Sequence, residues 1–216
     1  ALNAWANQIA HFYLSLGAKK GDVVAVMIEN RPELIASVIG LAKLGVTSAL
    51  VNTSQVGKVL AHSINLVKPI ALIVGEECGE AVNEIRNDLN ISGERLHWFA
   101  DQNTQTDPGQ APEGFVNLAE KIDLAPKFNP PTTHSVQGKD GLFYIYTSGT
   151  TGLPKAVIFT NGRWTLAYGT YGHVLNLNKD DVMYCTLPLY HATGMVVCWC
   201  GVIAGSSTLA IRRKFS

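Results

Sequence analysis

The chain has 216 residues, 47% of them hydrophobic and 16% charged, and its 17 basic and 17 acidic side chains cancel to a formal charge of zero. That length can bury a substantial core as one domain or as two small ones, and the composition excludes both a disordered chain and a basic nucleic-acid surface. The four cysteines, Cys78, Cys185, Cys198 and Cys200, form no C-x-x-C pair and have no histidine at metal-ligand spacing, so they read as buried reduced thiols in a cytoplasmic protein without a metal site.

Leu2, Trp5, Ile9, Phe12, Tyr13 and Leu16 recur at helical spacing, and Gly17 closes the run as a C-terminal cap. The continuous apolar run over residues 23–28 reads as a parallel strand buried on both faces. The alternation then repeats, with a helix over 32–44, a strand over 48–52, a helix over 56–66, a strand over 70–74, a helix over 78–89 and a strand over 96–99. Strands alternating with helices predict an α/β fold, a mostly parallel sheet covered by helices on both faces. Over residues 101–139 the composition turns to Gln, Asn, Thr, Pro and Gly, with one short helix at 115–122. This stretch reads as a linker or surface excursion between a first α/β lobe at 1–100 and a second at 140–216. The second lobe holds strands over 142–146 and 156–160, a helix over 164–175, a strand over 182–186, an apolar helix and a last strand over 208–211. Residues 195–211 are apolar enough to suggest a membrane span, but Gly205-Ser206-Ser207 divides them into pieces too short to cross about 30 Å of hydrocarbon. A buried helix followed by a buried strand fits better. The sequence opens inside a helical pattern with no signal peptide, which leaves an upstream anchor open.

The most informative stretch is Tyr144-Ile145-Tyr146-Thr147-Ser148-Gly149-Thr150-Thr151-Gly152-Leu153-Pro154-Lys155. Thr147, Ser148, Thr150 and Thr151 supply hydroxyl donors, while Gly149 and Gly152 allow backbone N–H groups to close around an anion, and Lys155 adds a positive charge at the far end. An ordinary Ser/Thr/Gly turn between two strands has the same composition. Its place directly after a strand favours a nucleotide site, since α/β sheets bind nucleotides at strand ends. It is not a Walker A loop, because Pro154 separates Gly152 from Lys155 and no Gly-Lys-Ser/Thr follows.

Residues 146–155 resemble the phosphate-binding signature of the AMP-forming adenylate synthetases, the superfamily of acyl-CoA synthetases, firefly luciferase and nonribosomal-peptide adenylation domains. Further matches run in the family's order. Residues 3–7 through Gly17, residues 21–26 and Asn30-Arg31-Pro32-Glu33 resemble the opening of its N-terminal domain, and residues 41–45 followed by Val51-Asn52 resemble its next signature. Leu187-Pro188-Leu189-Tyr190-His191-Ala192-Thr193-Gly194 resembles the motif after the phosphate loop. The closing Arg212-Arg213-Lys214-Phe215-Ser216 is most similar to the fatty acid transport protein branch, the long- and very-long-chain acyl-CoA synthetases.

The resemblance implies an AMP-forming fatty acid–CoA ligase that uses ATP and Mg²⁺, passes through an acyl-adenylate and takes CoA as acceptor. It implies that Thr147, Ser148, Gly149, Thr150, Thr151 and Gly152 bind the β- and γ-phosphates. Lys155 is then either a phosphate partner or a solvated strand-edge lysine. His191 would lie beside the reacting carboxylate, although a lone histidine is more often a core residue. Met195, Val196, Val197 and Trp199 after it read as core before acyl channel, and the other five histidines receive no role. The family's Tyr-Gly-x-Thr-Glu element with its Mg²⁺ glutamate, its ribose-binding aspartate and its lysine-bearing C-terminal domain do not occur in these 216 residues. The resemblance therefore covers the first part of such an enzyme, inactive by itself. It allows a cytoplasmic parent with peripheral membrane association, and it excludes no other acid-activating CoA ligase, aryl or carnitine type, nor a catalytically silent nucleotide- or acyl-binding module of the same fold.

Overall fold

The structure, a computed structural model, describes residues 1–101, 110–148 and 152–213. Its centre is the strand β1 (Val23–Met27), whose five residues are almost wholly apolar and whose side chains alternate between two covered faces. Val24 and Val26 enter one hydrophobic cluster with Ile9, Leu34 and Phe143, whereas Ala25 and Met27 enter a second with Leu60, Ile64 and Trp98. A strand clothed on both sides has no polar face, which explains the unbroken apolar run.

Around β1 the sheet has the order β5-β4-β3-β1-β2-β6-β7. These are β2 (Thr47–Leu50), β3 (Ala71–Gly75), β4 (Leu96–Phe99), β5 (Val116–Asn117), β6 (Gly141–Thr147) and β7 (Lys155–Thr160). All neighbours are parallel except β6 and β7, which pair antiparallel. One face carries α1 (Leu2–Ser15), α2 (Pro32–Ala42) and α5 (Leu118–Ile122), and the other carries α3 (Gly57–Leu66) and α4 (Gly79–Glu84). α1 ends as expected, since Gly17 at φ +81° donates to Leu14 O and Ala18 donates to Tyr13 O, the paired bonds of a Schellman cap.

The strands placed by sequence with the second lobe, β6 and β7, hydrogen-bond into the sheet begun by β1–β4, with β6 beside β2. Beyond them, α6 (Asn161–Leu175), β8 (Val182–Cys185), a π-helical turn (Thr193–Cys198), α7 (Trp199–Gly205) and β9 (Thr208–Ile211) follow, with β8 and β9 forming a separate two-stranded parallel sheet. Aromatic contacts join the two parts. Phe143 of β6 stacks on Phe159 at 5.0 Å and meets Trp164 edge-on, and Trp164 meets Trp199 at 5.0 Å. The helix expected over 78–89 is interrupted, with 3-10 turns at Glu76–Cys78 and Arg86–Asp88 flanking α4. There the Asn65 amide donates to Asp88 O and accepts from Asn90 N–H, competing with continued helix. Ser206 at φ +52° ends α7, and no helix among the described residues is long and apolar enough to cross a membrane.

One deeply buried polar pair belongs to the core. Tyr13 Oη lies 2.6 Å from His97 Nδ1, and both residues are at most 1% exposed. Burial, helped by the Arg95 charge and opposed by a hydrogen bond with the Glu94 backbone, lowers His97 from 6.5 to about 4. The unfolded chain therefore takes up this proton between pH 6.5 and 4 while the folded chain resists it, so acidification through that window favours unfolding. Between pH 6.5 and pH 4.5 the wild-type chain is expected to lose about 2 kcal/mol more stability than His97→Gln, measured by urea unfolding at each pH. Parallel pH profiles for the two proteins would contradict it.

Candidate active site

At the carboxyl ends of β2 and β6 the chain forms a cleft of about 240 Å³. Its lining includes Asn52 and Gln55 after β2, Thr147 and Ser148 where β6 ends, and Tyr190 and His191 from the loop after β8. The strand-end location follows from topology: the loops leaving adjacent parallel strands converge on one edge, where backbone groups no longer serve the sheet. Below the cleft, Tyr146 donates to Ser63 O at 2.7 Å, and burial raises its phenol well above the ordinary value, so it stays a neutral donor. Asn52 Oδ1 accepts from Ser54 N–H at 2.9 Å and so shapes the loop that brings Ser54 to Tyr190. Burial raises the Tyr190 phenol, and the Ser54 hydrogen bond opposes the shift.

His191 is exposed, and its Nδ1 lies 3.3 Å from both the backbone N and the Oγ1 of Thr193. Since a backbone N–H can only donate, Nδ1 accepts, and in the neutral ring Nε2 carries the proton. That leaves Nε2–H as the donor for a ligand. His62, given no role by sequence, donates from Nε2 to Pro154 O at 3.2 Å and anchors the exit of the Ser/Thr/Gly loop.

Of the expected site residues, the fold thus brings Thr147, Ser148, Gly152 and His191 to one cleft. Gly152 stands at φ +89°, a conformation that side-chain-bearing residues rarely adopt. Gly149, Thr150 and Thr151 lie outside the described residues. Lys155 is exposed at the start of β7 and lines a different groove, with His62, Lys68 and Tyr144. Met195, Val196 and Trp199 belong to the core rather than to the cleft lining. The thiols of Cys198 and Cys200 are pushed up to about 12 by burial, with Cys185 adding to the shift at Cys198, so neither serves as a thiolate nucleophile near neutral pH.

Sequence reasoning missed a charge network beside the cleft. Arg31, 3% exposed, faces Glu33, Glu77 and Asp101 at 3.5 to 3.8 Å and donates to Ala100 O and Phe99 O. Arg213, after β9, adds ion pairs to Glu29 at 2.8 Å, to Glu77 at 3.2 Å and to Asp101. Two guanidiniums and four carboxylates therefore tie the ends of β1, β3 and β4 to the segment after β9. The only sequence signal was the pair of resemblances at Asn30-Arg31-Pro32-Glu33 and Arg212-Arg213, which gave no hint that they meet.

A doubly covered, mostly parallel sheet, with the Thr147-Ser148 end of β6 and a Tyr190-His191 turn in one cleft at its strand ends, is the arrangement to which comparison with known proteins attaches a family. The family model described as AMP-binding enzyme matches residues 1–216, and the chain belongs to that family. It is 34% identical over 222 residues to the medium/long-chain-fatty-acid–CoA ligase FadD6 of Mycobacterium tuberculosis, covering 99% of this chain and 33% of that protein. It is 38% identical over 222 residues to long-chain fatty acid transport protein 1 of Rattus norvegicus, covering 100% of this chain and 32% of that protein. The chain spans about a third of the length of these curated relatives. Among solved structures, the inhibitor-bound N-terminal domain of FACL13 from Mycobacterium tuberculosis superposes with a TM-score of 0.80 at 26% identity, covering all of this chain and 50% of that one.

Removing Arg31 strands carboxylates in a buried site, so Arg31→Met is expected to cost about 3–5 kcal/mol in urea unfolding. Arg213→Met is expected to cost less, because its side chain is 34% exposed and solvent takes up part of the loss. Equal, small effects from both would show that the network is not holding these strand ends.

Proposed function

We propose that this chain is the N-terminal part of a longer ATP-dependent, AMP-forming long-chain fatty acid–CoA ligase. The observation that carries the reading is the cleft itself, where the Thr147 and Ser148 end of β6 and the Tyr190-His191 turn line one space. A donor-rich loop suits the phosphates of ATP, and a histidine whose Nε2–H points away from its own turn's hydrogen bonds suits the carboxylate that must meet the α-phosphorus. The similarity to proteins named as a fatty acid–CoA ligase and a long-chain fatty acid transport protein supports a long-chain fatty acid as the acid.

In this reading the Thr147 to Gly152 loop holds the β- and γ-phosphates, and Lys155 contributes positive charge from the neighbouring groove. His191 Nε2–H aligns the acid. One carboxylate oxygen attacks the α-phosphorus, the bond to the bridging oxygen breaks, and pyrophosphate leaves. The CoA thiol then attacks the acyl carbon and AMP departs. Little covalent work falls to the protein, so alignment and charge stabilisation dominate the rate. Among the described residues no carboxylate lines the cleft, so the cleft itself offers Mg²⁺ no charged ligand. The longer protein is taken as cytoplasmic, with peripheral membrane contact suited to an acid that partitions into lipid.

In the intact enzyme, His191→Ala and Thr150→Ala are each expected to slow fatty-acid-dependent ATP–pyrophosphate exchange by roughly 10- to 100-fold, the loss of a hydrogen bond to a charged group, with little change in melting temperature. A destabilised His191→Ala protein with normal specific activity would make His191 a core residue instead. The 216-residue chain alone is expected to release no acyl-CoA, since it spans only a third of its relatives. Sustained turnover by the purified chain would overturn that assignment.

A further inference from the structure

The loop joining β1 to α2 contains one side chain whose hydrogen bonds all run to the other end of the sequence. Asn30, 7% exposed, donates from Nδ2 to Leu187 O at 2.9 Å and to Arg212 O at 3.0 Å, and its Oδ1 accepts from Leu189 N–H at 2.7 Å. The amide orientation is fixed by its partners, because two carbonyls need donors and one N–H needs an acceptor. Leu187 and Leu189 bracket Pro188 and immediately precede Tyr190 and His191. The same turn is tightened by His191 N–H donating to Pro188 O at 3.1 Å. Gly194 closes it from the other side, since a Cβ there would stand 2.5 Å from Pro188 O.

We infer that Asn30 is a positioning residue for adenylation: it touches no substrate but sets where the Leu187 to His191 turn, and with it His191, stands relative to the Thr147-Ser148 end of β6. This rests on the ligase reading above. The argument is one of rigidity. His191 is exposed, and among the described residues its hydrogen bonds run to Pro188, Thr193 and Met195, none more than four residues away, so its location is that of the turn. Asn30 holds that turn by two bonds to its backbone, at Leu187 O and Leu189 N–H, from the end of the strand at the centre of the sheet, and ties it to Arg212 O by a third. Leu189 is fully buried and accepts no alternative position without opening the core. Asparagine is required rather than aspartate, because a carboxylate would face the Leu187 and Arg212 carbonyls with no proton to offer.

The test uses the intact enzyme with Asn30→Asp, which keeps the acceptor for Leu189 N–H and loses both donors, and Asn30→Ser as a milder second variant. Misplacing a reacting group by about 1 Å can cost on the order of 100-fold, so Asn30→Asp is expected to lower the kcat of ATP–pyrophosphate exchange by roughly 10- to 100-fold while the KM for ATP stays within about two-fold. Asn30→Ser should fall between it and wild type. Because Asn30 acts through His191, adding Asn30→Asp to His191→Ala should slow exchange no further than His191→Ala alone. Hydrogen exchange at the Leu189 and His191 amides should accelerate in both Asn30 variants. Unchanged kcat, additive losses in the double variant, or undisturbed exchange at those amides would each overturn the inference. A wild-type enzyme with no pyrophosphate exchange would overturn the ligase reading itself, a result distinct from any of these.

Discussion

Burying Arg31 removes its charge from water, a cost that only close partners can offset, and the partners it recruits set the working edge of the sheet. Glu33, Glu77 and Asp101 come from α2, from the turn after β3 and from the residues after β4, so satisfying one guanidinium draws three separate segments to the carboxyl end of β1. Arg213 then binds Glu77 and Asp101 as well as Glu29, which brings the chain after β9 to the same place. Asn30, next to Arg31, fastens the segment before His191. The cleft exists because these tethers place the Tyr190-His191 turn over the end of β6.

This arrangement separates stability from chemistry. The charges that hold the edge pair with one another, whereas Thr147, Ser148 and His191, which line the cleft, are exposed. On the proposed reading such a site would meet an anion with hydroxyls and N–H groups, with the positive charge of Lys155 in the neighbouring groove. Hydrogen-bond donors of this kind suit a reaction whose difficulty is orienting two anions.

The α/β alternation was legible because β1 and β3, buried on both faces, leave unbroken apolar runs, and α1 carries an apolar stripe at helical spacing. What left no such mark was missed. β5 is two residues long and exists only through its pairing with β4. β6 and β7 read as the start of a second lobe because nothing local records that β6 pairs with β2, nearly a hundred residues earlier. The π-helical turn after His191 has the same apolar composition as an α-helix. At the site, the Thr147 to Gly152 loop and His191 were visible through motif chemistry, while Asn30 and Arg31 were not assigned roles, because their partners lie up to 182 residues away.

The central claim is that one cleft, between the end of β6 and the Tyr190-His191 turn, holds both the phosphates and the acid. A crystal structure of the intact enzyme with a non-hydrolysable acyl-adenylate analogue, a fatty acyl sulfamoyl-adenosine, tests it directly. The account predicts that the sulfamoyl group, standing where the α-phosphate would be, lies between Ser148 and His191 within hydrogen-bond distance of His191 Nε2. Analogue bound instead in the groove beside Lys155, or with its sulfamoyl group out of reach of both residues, would contradict it.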